Sequence, residues 1–301
     1  MAHTRSAMHR GRGRFILFSL LPAFVLYVVF MVVPTIDVFR MSLFQWTGFG
    51  GSQTFIGFDN FTALLGDMQF VRSFQNTILL LVIVTIVTMA GALGIAAIMV
   101  NPRIRARNFY RFVLYLPSVL SIVVVAAIFS AVYDQKNGLI NGSLSTVGLE
   151  NLAQVWLGDE KIIMYSIALA MLWQSLGYYV LLYMGGMSSI PADVYEAAAL
   201  DGAGAFRRFF DVTLPLVWGT LRTTLTFFII SSVNLAFVLV RAMTDGGPNG
   251  SSDVLLNYMY KQAYTNSSYG YGMAIGVVIF LFSFALALII NRSTKREVQQ
   301  F

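Results

Sequence analysis

Apolar residues gather in six long runs along this chain, at about 15–33, 77–100, 112–132, 164–187, 223–240 and 273–290. Polar connections rich in Gly, Asn, Asp and Arg separate them. Each run is roughly 18–24 residues long, and a helix rising about 1.5 Å per residue needs about 20 to cross a hydrocarbon core of about 30 Å. None of the six contains Asp, Glu, Lys or Arg. In lipid the backbone must satisfy its own hydrogen bonds, so such runs read as helices. The pattern predicts an all-α membrane protein of six transmembrane helices, a single domain over 1–301.

Composition agrees: 57% of the residues are hydrophobic and 11% charged, against about 25% charged in a soluble domain. The net charge of +6 first suggests nucleic acid, but its placement argues otherwise. Arg5, Arg10, Arg12, Arg14, Arg103, Arg105, Arg107, Arg111, Arg207, Arg208, Arg292, Lys295 and Arg296 fall on the termini and the even connections. The odd connections carry only Arg40, Arg72, Lys136, Lys161, Arg241 and Lys261, and Arg222 sits at the mouth of the fifth run. By the positive-inside rule both termini are expected in the cytoplasm. Charges split among segments separated by whole spans do not make a nucleic-acid patch.

The first run is too long for a signal-peptide core and has no small-residue cleavage site after it, so it reads as an uncleaved helix. With no Cys in the chain, disulfide and thiolate chemistry are excluded. The segment 37–75 carries Phe44, Trp46, Phe49, Phe55, Phe58 and Phe61 among Gly and polar residues. Trp46 reads there as an interfacial anchor before it reads as a ligand contact. The connection 133–161 has turn signals at Asn137-Gly138 and Asn141-Gly142, with a short surface helix expected around 149–157. Pro22 and Pro117 are expected to kink the first and third helices. Gly91 and Gly94, among several alanines, favour close helix packing.

What is missing narrows the function. His3 and His9 lie in the N-terminal tail, away from any buried site. No carboxylate lies within a run to carry protons or sodium, where pumps and symporters usually have one. No Gly-Lys pair exists to build a phosphate-cradling loop. The chain is therefore a passive pore, a scaffold for a partner, or a part whose energy comes from another polypeptide.

The fourth connection, 188–215, separates these readings. Pro191 suits the first turn of a helix, with Asp193 and Glu196 toward its positive end. Ala197, Ala198 and Ala199 extend it, and Gly202 and Gly204 break it. A second short helix then presents Phe206, Phe209 and Phe210, and Pro215 is expected to halt it before the fifth span. By residue type alone, this hairpin either receives a partner protein or lies on lipid.

The loop resembles the EAA motif of ABC importer permeases, EAA…DGA…F…LP, at Glu196, Ala197, Ala198, Asp201, Gly202, Ala203, Phe209, Leu214 and Pro215. Further stretches resemble the sugar-importer branch: Leu172 through Tyr178, Asn234 through Thr244-Asp245-Gly246-Gly247-Pro248, Tyr258-Met259-Tyr260, and Tyr269 through Gly272. Leu21-Pro22, Pro34, Ser42, Gly57 through Phe61, and Asn76-Thr77 also agree. The form is similar to a maltose-type first permease subunit reduced to six spans. The resemblance implies the type I permease fold and a non-catalytic membrane subunit of a bacterial or archaeal cell (inner) membrane. It implies a second homologous permease, two ATP-binding subunits that hold ATP and Mg, and an extracytoplasmic solute-binding protein. This chain would bind no cofactor itself. In such a complex Glu196, Ala197, Ala198, Asp201, Gly202, Ala203, Phe206 and Phe209 couple to the ATPase.

A sugar path needs aromatic faces and hydrogen-bond partners for hydroxyls. The fourth span offers Trp173, Gln174, Ser175, Tyr178 and Tyr179, and the fifth offers Phe228, Ser231, Ser232 and Asn234. Each serine has an alternative in bonding to its own turn or to a neighbouring helix. Arg241 either snorkels or meets the binding protein or sugar, and the loop 245–248 is expected to probe that binding protein. With no cation within the spans, a neutral saccharide is expected rather than a phosphorylated one.

Overall fold

The computed structural model describes residues 3–48, 50–101 and 104–294, with side chains from residue 15 onward. The side chains of His3, Arg5, His9, Arg10, Arg12 and Arg14, and residues Phe49, Arg103, Lys295 and Arg296, fall outside that description. Five helices are long and apolar enough to cross a membrane, and a sixth crossing requires a broken pair. The chain contacts group into two units, each assembled from separate stretches of sequence, and the sixth span is divided between them.

The smaller unit holds Met1–Leu64 and Met259–Val278. Its first helix does not stop at Val33. It runs on through Pro34 to Met41, by way of a π-helical segment Val28–Val32. The wider turn, with Val33 N–H donating to the Val28 carbonyl, absorbs the proline that would otherwise clash with the preceding turn. Pro22 likewise sits inside the continuous helix His3–Tyr27. No described residue of the segment Phe15–Met41 is buried. An antiparallel hairpin follows, Phe44–Trp46 against Gln53–Phe55. The Asn60 amide ties its base by donating to the carbonyls of Ser42 and Phe44 at 2.8 and 3.1 Å. Trp46 packs on Tyr269 within the same unit, ring centroids 5.4 Å apart.

The larger unit holds Leu65–Tyr258 and Ile279–Phe301. Its second span begins well before Thr77, at Met68, and ends at Met99. Asp67 caps it, accepting from the N–H groups of Gln69 and Phe70, which satisfies donors a helix start leaves orphaned. The fourth span, Ile163–Ser188, and the fifth, Trp218–Met243, follow the expected bounds with a few residues added at their ends. The sixth is Tyr269–Ser293. Val84, Ala92, Ala96, Val125, Ile167, Met171, Val180, Tyr183, Met187 and Leu239 form a continuous core among the second, third, fourth and fifth spans.

One expectation, the kink at Pro117, is exceeded, and two fail. The third span is not one helix: Arg107–Val119 and Ile122–Val132 meet at 100°. Leu120 and Ser121 are both extended, with ψ of 143° and 137°. Pro117 lies inside the first of these helices, two positions before its C-terminal end at Val119. Second, the surface helix of the third connection is Leu139–Thr146, with only a 3₁₀ turn at Glu150–Leu152. Asn141 is inside this helix rather than in a turn, because its buried amide is consumed by the carbonyls of Gln135 and Gln154. Third, Pro215 does not halt its helix. Ala205–Arg208 passes through a π segment Phe209–Thr213 into Leu214–Leu216, and the break comes at Val217. The device used ahead of Pro34 is used again ahead of Pro215.

Candidate functional site: a cavity and a loop on the fourth and fifth spans

Glycine controls how the spans approach. A Cβ on Gly177 would lie 1.7 Å from the Leu114 carbonyl oxygen, so the fourth span receives the backbone of Arg107–Val119 directly. Beyond that crossing the broken third span turns away. Ser118 and Ile122, on either side of the break, line a cavity of about 530 Å³. The fourth span contributes Gln174, Ser175, Tyr178 and Tyr179, and the fifth contributes Phe228, Ser231, Asn234, Leu235 and Val238. None of these side chains is charged.

Seven of the nine residues offered by the fourth and fifth spans thus meet at one cavity. Trp173 and Ser232 do not line it. Trp173 packs edge-on to Phe129, centroids 5.5 Å apart, and Ser232 is buried and donates to the Phe228 carbonyl. Ser175 and Ser231 line the cavity but donate to the carbonyls of Met171 and Phe228. Gln174 and Asn234 differ from them: no hydrogen bond to either amide occurs among the described residues. Tyr179 and Phe228 close one wall edge-to-face at 5.0 Å. Ser118 and Ile122 carry no signal in the sequence, because they reach the cavity on either side of the break at Leu120–Ser121.

The loop that joins the two spans has a different construction. Pro191 stands one position before the helix Ala192–Leu200. That helix ends in a paired cap: Gly202 N–H donates to the Ala199 carbonyl and Ala203 N–H to the Ala198 carbonyl. Gly202 adopts φ of +76°, a left-handed conformation that favours glycine. The Asp201-Gly202-Ala203 sequence is therefore the capping device of this helix. The second leg is tied back by Tyr195 and Thr213, whose hydroxyls are 3.1 Å apart. Glu196, Arg208, Asn101 and Phe209 line a cavity of about 630 Å³ behind the two legs.

The face turned outward is apolar and small. Leu200 is 89% exposed and Phe206 is 78% exposed. Phe210 packs tilted against Phe206 at 4.6 Å and edge-on to Phe209 at 5.0 Å. A Cβ on Gly202 or Gly204 would meet nothing within 4 Å. Ala197, Asp201 and Glu196 are exposed, and Ala198 and Ala203 half-exposed.

At the other end of the fifth span, Arg241 pairs with Asp245 at 2.6 Å. The following loop is tied to the second span. Asn76 donates to the Ser251 and Asp253 carbonyls, Gln69 donates to the Gly250 carbonyl, and Leu255 N–H donates to the Thr77 hydroxyl.

Residues 90–298 match the family described as binding-protein-dependent transport system inner membrane component. The chain is 36% identical over 260 residues to the probable ABC transporter permease protein YurN of Bacillus subtilis, covering 83% of this chain and 86% of that one. It is 32% identical over 255 residues to the diacetylchitobiose uptake system permease protein NgcF of Streptomyces coelicolor, covering 81% and 72%. It is 32% identical over 251 residues to the sn-glycerol-3-phosphate transport system permease protein UgpA of Escherichia coli O157:H7, covering 81% of each. Its fold is similar to a chain from a crystal structure of a bacterial ABC transporter that imports the acidic polysaccharide alginate, with TM-score 0.83, 23% identity, and 98% and 100% of the two chains covered.

Proposed function

The chain belongs to the family of binding-protein-dependent transport system inner membrane components, and from that premise we propose that it forms half of a path for a neutral saccharide, driven by ATP hydrolysed elsewhere. It is a multi-pass membrane permease and not an enzyme; the passive-channel reading is not favoured. The other half of the path is a second homologous permease. Two ATP-binding subunits, holding ATP and Mg, work the loop at Glu196, Ala197, Ala198, Asp201, Gly202, Ala203, Phe206 and Phe209. An extracytoplasmic solute-binding protein delivers the sugar to the opposite end, where the loop after Asp245 meets it. The termini and the Glu196 loop face the cytoplasm of a bacterial or archaeal cell.

One observation carries the coupling role. A hairpin capped at Gly202 presents Leu200 and Phe206 largely exposed, with Phe206 held against Phe210. Exposed large apolar groups over small residues suit the cleft of another protein. The saccharide reading rests on the larger unit's cavity, where aromatic faces flank two free amides and no lining residue is charged. A phosphorylated cargo would call for cations there. A neutral sugar has ring faces for Tyr178, Tyr179 and Phe228, and hydroxyls for Gln174 and Asn234.

On ATP binding the ATPase pair favours one of two bundle packings, and the loop passes that preference to the fourth and fifth spans. The test is Glu196→Lys combined with Gly202→Asp. Sugar uptake should vanish while the protein stays in the membrane. Reconstituted alone in liposomes, the chain should move no solute. Uptake by the double variant, or flux by the chain alone, rejects the reading.

A further inference from the structure

The fourth and fifth spans run antiparallel, and their contacts fall in register. Tyr179 meets Phe228 at the cavity wall. One turn on, the Tyr183 hydroxyl lies 2.8 Å from the Thr224 hydroxyl. About a turn further, toward the Glu196 loop, Gly186 faces Thr220, where an added Cβ would come within 3.3 Å of its hydroxyl. These are successive rungs of a ladder between the cavity and the loop, and the middle one is a hydrogen bond between two buried side chains.

The protons at that rung can be assigned by acceptor strength. The Thr224 oxygen is 2.9 Å from the Thr220 carbonyl and 3.0 Å from the Leu221 carbonyl. Its proton is committed to its own helix, so its oxygen accepts from Tyr183. The Met89 sulfur, also 2.8 Å from the Tyr183 oxygen, is the weaker acceptor. The bonds therefore run from Tyr183 to Thr224 and on to the carbonyls of the preceding turn, including that of Thr220, the residue facing Gly186. Tyr183 is fully buried and Thr224 nearly so. In an apolar surrounding such a chain is directional and its members strengthen one another.

We propose that Tyr183 and Thr224 are positioning residues for transport. Their bond locks the fourth and fifth spans into one body, so that displacement of the loop reaches the Tyr179–Phe228 wall instead of being lost as slip between two helices. Apolar packing alone lets helices slide by small steps; a hydrogen bond with a fixed partner resists this. The proposal rests on the ATP-coupled reading given above.

The chain has no cysteine, which permits a direct test in the purified complex with its partner subunits. A single cysteine at Ser231→Cys reports the cavity through its reaction with a water-soluble maleimide. Labelling is compared without nucleotide and with Mg-ATP plus vanadate, so no sugar need be identified. ATP hydrolysis is measured in parallel. In the parent complex the two states should label at different rates. Tyr183→Phe and Thr224→Val should each shrink that difference by about fivefold, in line with one buried hydrogen bond, while ATP hydrolysis continues. Thr224→Ser, which keeps the hydroxyl, should restore it. The double variant should be no worse than either single one. The rung is rejected if both single variants respond like the parent, if Thr224→Ser fails to restore the difference, or if labelling and hydrolysis decline together as from general damage. A parent complex whose labelling ignores nucleotide overturns the ATP-coupled reading itself, and the rung with it.

Discussion

The fourth and fifth spans meet around a cavity and are joined by a loop, and the two places treat exposure in opposite ways. At the cavity the hydroxyls of Ser175 and Ser231 are turned into their own helices, while the side-chain amides of Gln174 and Asn234 have no hydrogen bond among the described residues. At the loop the end of the helix Ala192–Leu200 is capped through Gly202 and Ala203, and the apolar side chains of Leu200 and Phe206 stay exposed. A cavity that must release its cargo at each cycle gains from a few adjustable polar contacts on aromatic walls. A surface that stays engaged gains from a rigid backbone carrying buried anchors. The difference teaches how one pair of helices carries a polar opening at one place and an exposed apolar face at another.

Four substitutions break or sharpen this contrast. The largest effect is expected at the frame both regions share. Gly177→Ala drives a methyl group into the Leu114 carbonyl, and overpacking against backbone should destabilise the chain by about 3 kcal/mol. Thermal unfolding of the solubilised protein reads this; an unchanged midpoint means the helices do not cross there. Next is Phe206→Asp. Removing an exposed anchor should weaken retention of the ATPase by about 2 kcal/mol, roughly thirtyfold, with the permease itself as stable as before. Co-purification measures it, and undiminished capture would show the exposed face to be idle.

Asn234→Ala is smaller and opposite in kind. Loss of one amide contact of about 1 kcal/mol should raise the apparent KM for sugar roughly fivefold and leave ATPase capture untouched. A change in capture instead of KM would erase the division of labour. Smallest is Trp173→Phe. Trp173 touches Phe129 and lies outside the cavity lining, so transport should shift by less than about twofold. A loss equal to that at Asn234 would return Trp173 to the path.

Much of this was legible because lipid is a severe solvent. Five of the six apolar runs are continuous helices, with ends displaced by a few residues at the fourth, fifth and sixth. The displacement is larger at Met68 and Met41, where Asp67 and a π turn extend helices beyond their apolar stretch. The break of the loop at Gly202 was also readable, since glycine there permits a left-handed turn that other residues resist. The prolines were read less well. Pro34, Pro117 and Pro215 carry the same local rule, yet two are absorbed by π segments and one accompanies a 100° break. Which outcome follows depends on how the turn before the ring can widen, and that is settled by neighbouring packing.

The residues by themselves determined the number of apolar runs, the lack of a Gly-Lys phosphate loop, and a hairpin broken at Gly202 between the fourth and fifth of those runs. These depend on local chemistry: helix length against bilayer thickness, charge against lipid, glycine against β-carbon. Only the tertiary structure decided which polar groups remain free. Ser231 and Asn234 share a helix three residues apart, and both could bind a hydroxyl. One oxygen is committed to its own backbone and the other amide faces open space, and that choice arises where Ser118 and Ile122 of a broken helix come round to complete the wall.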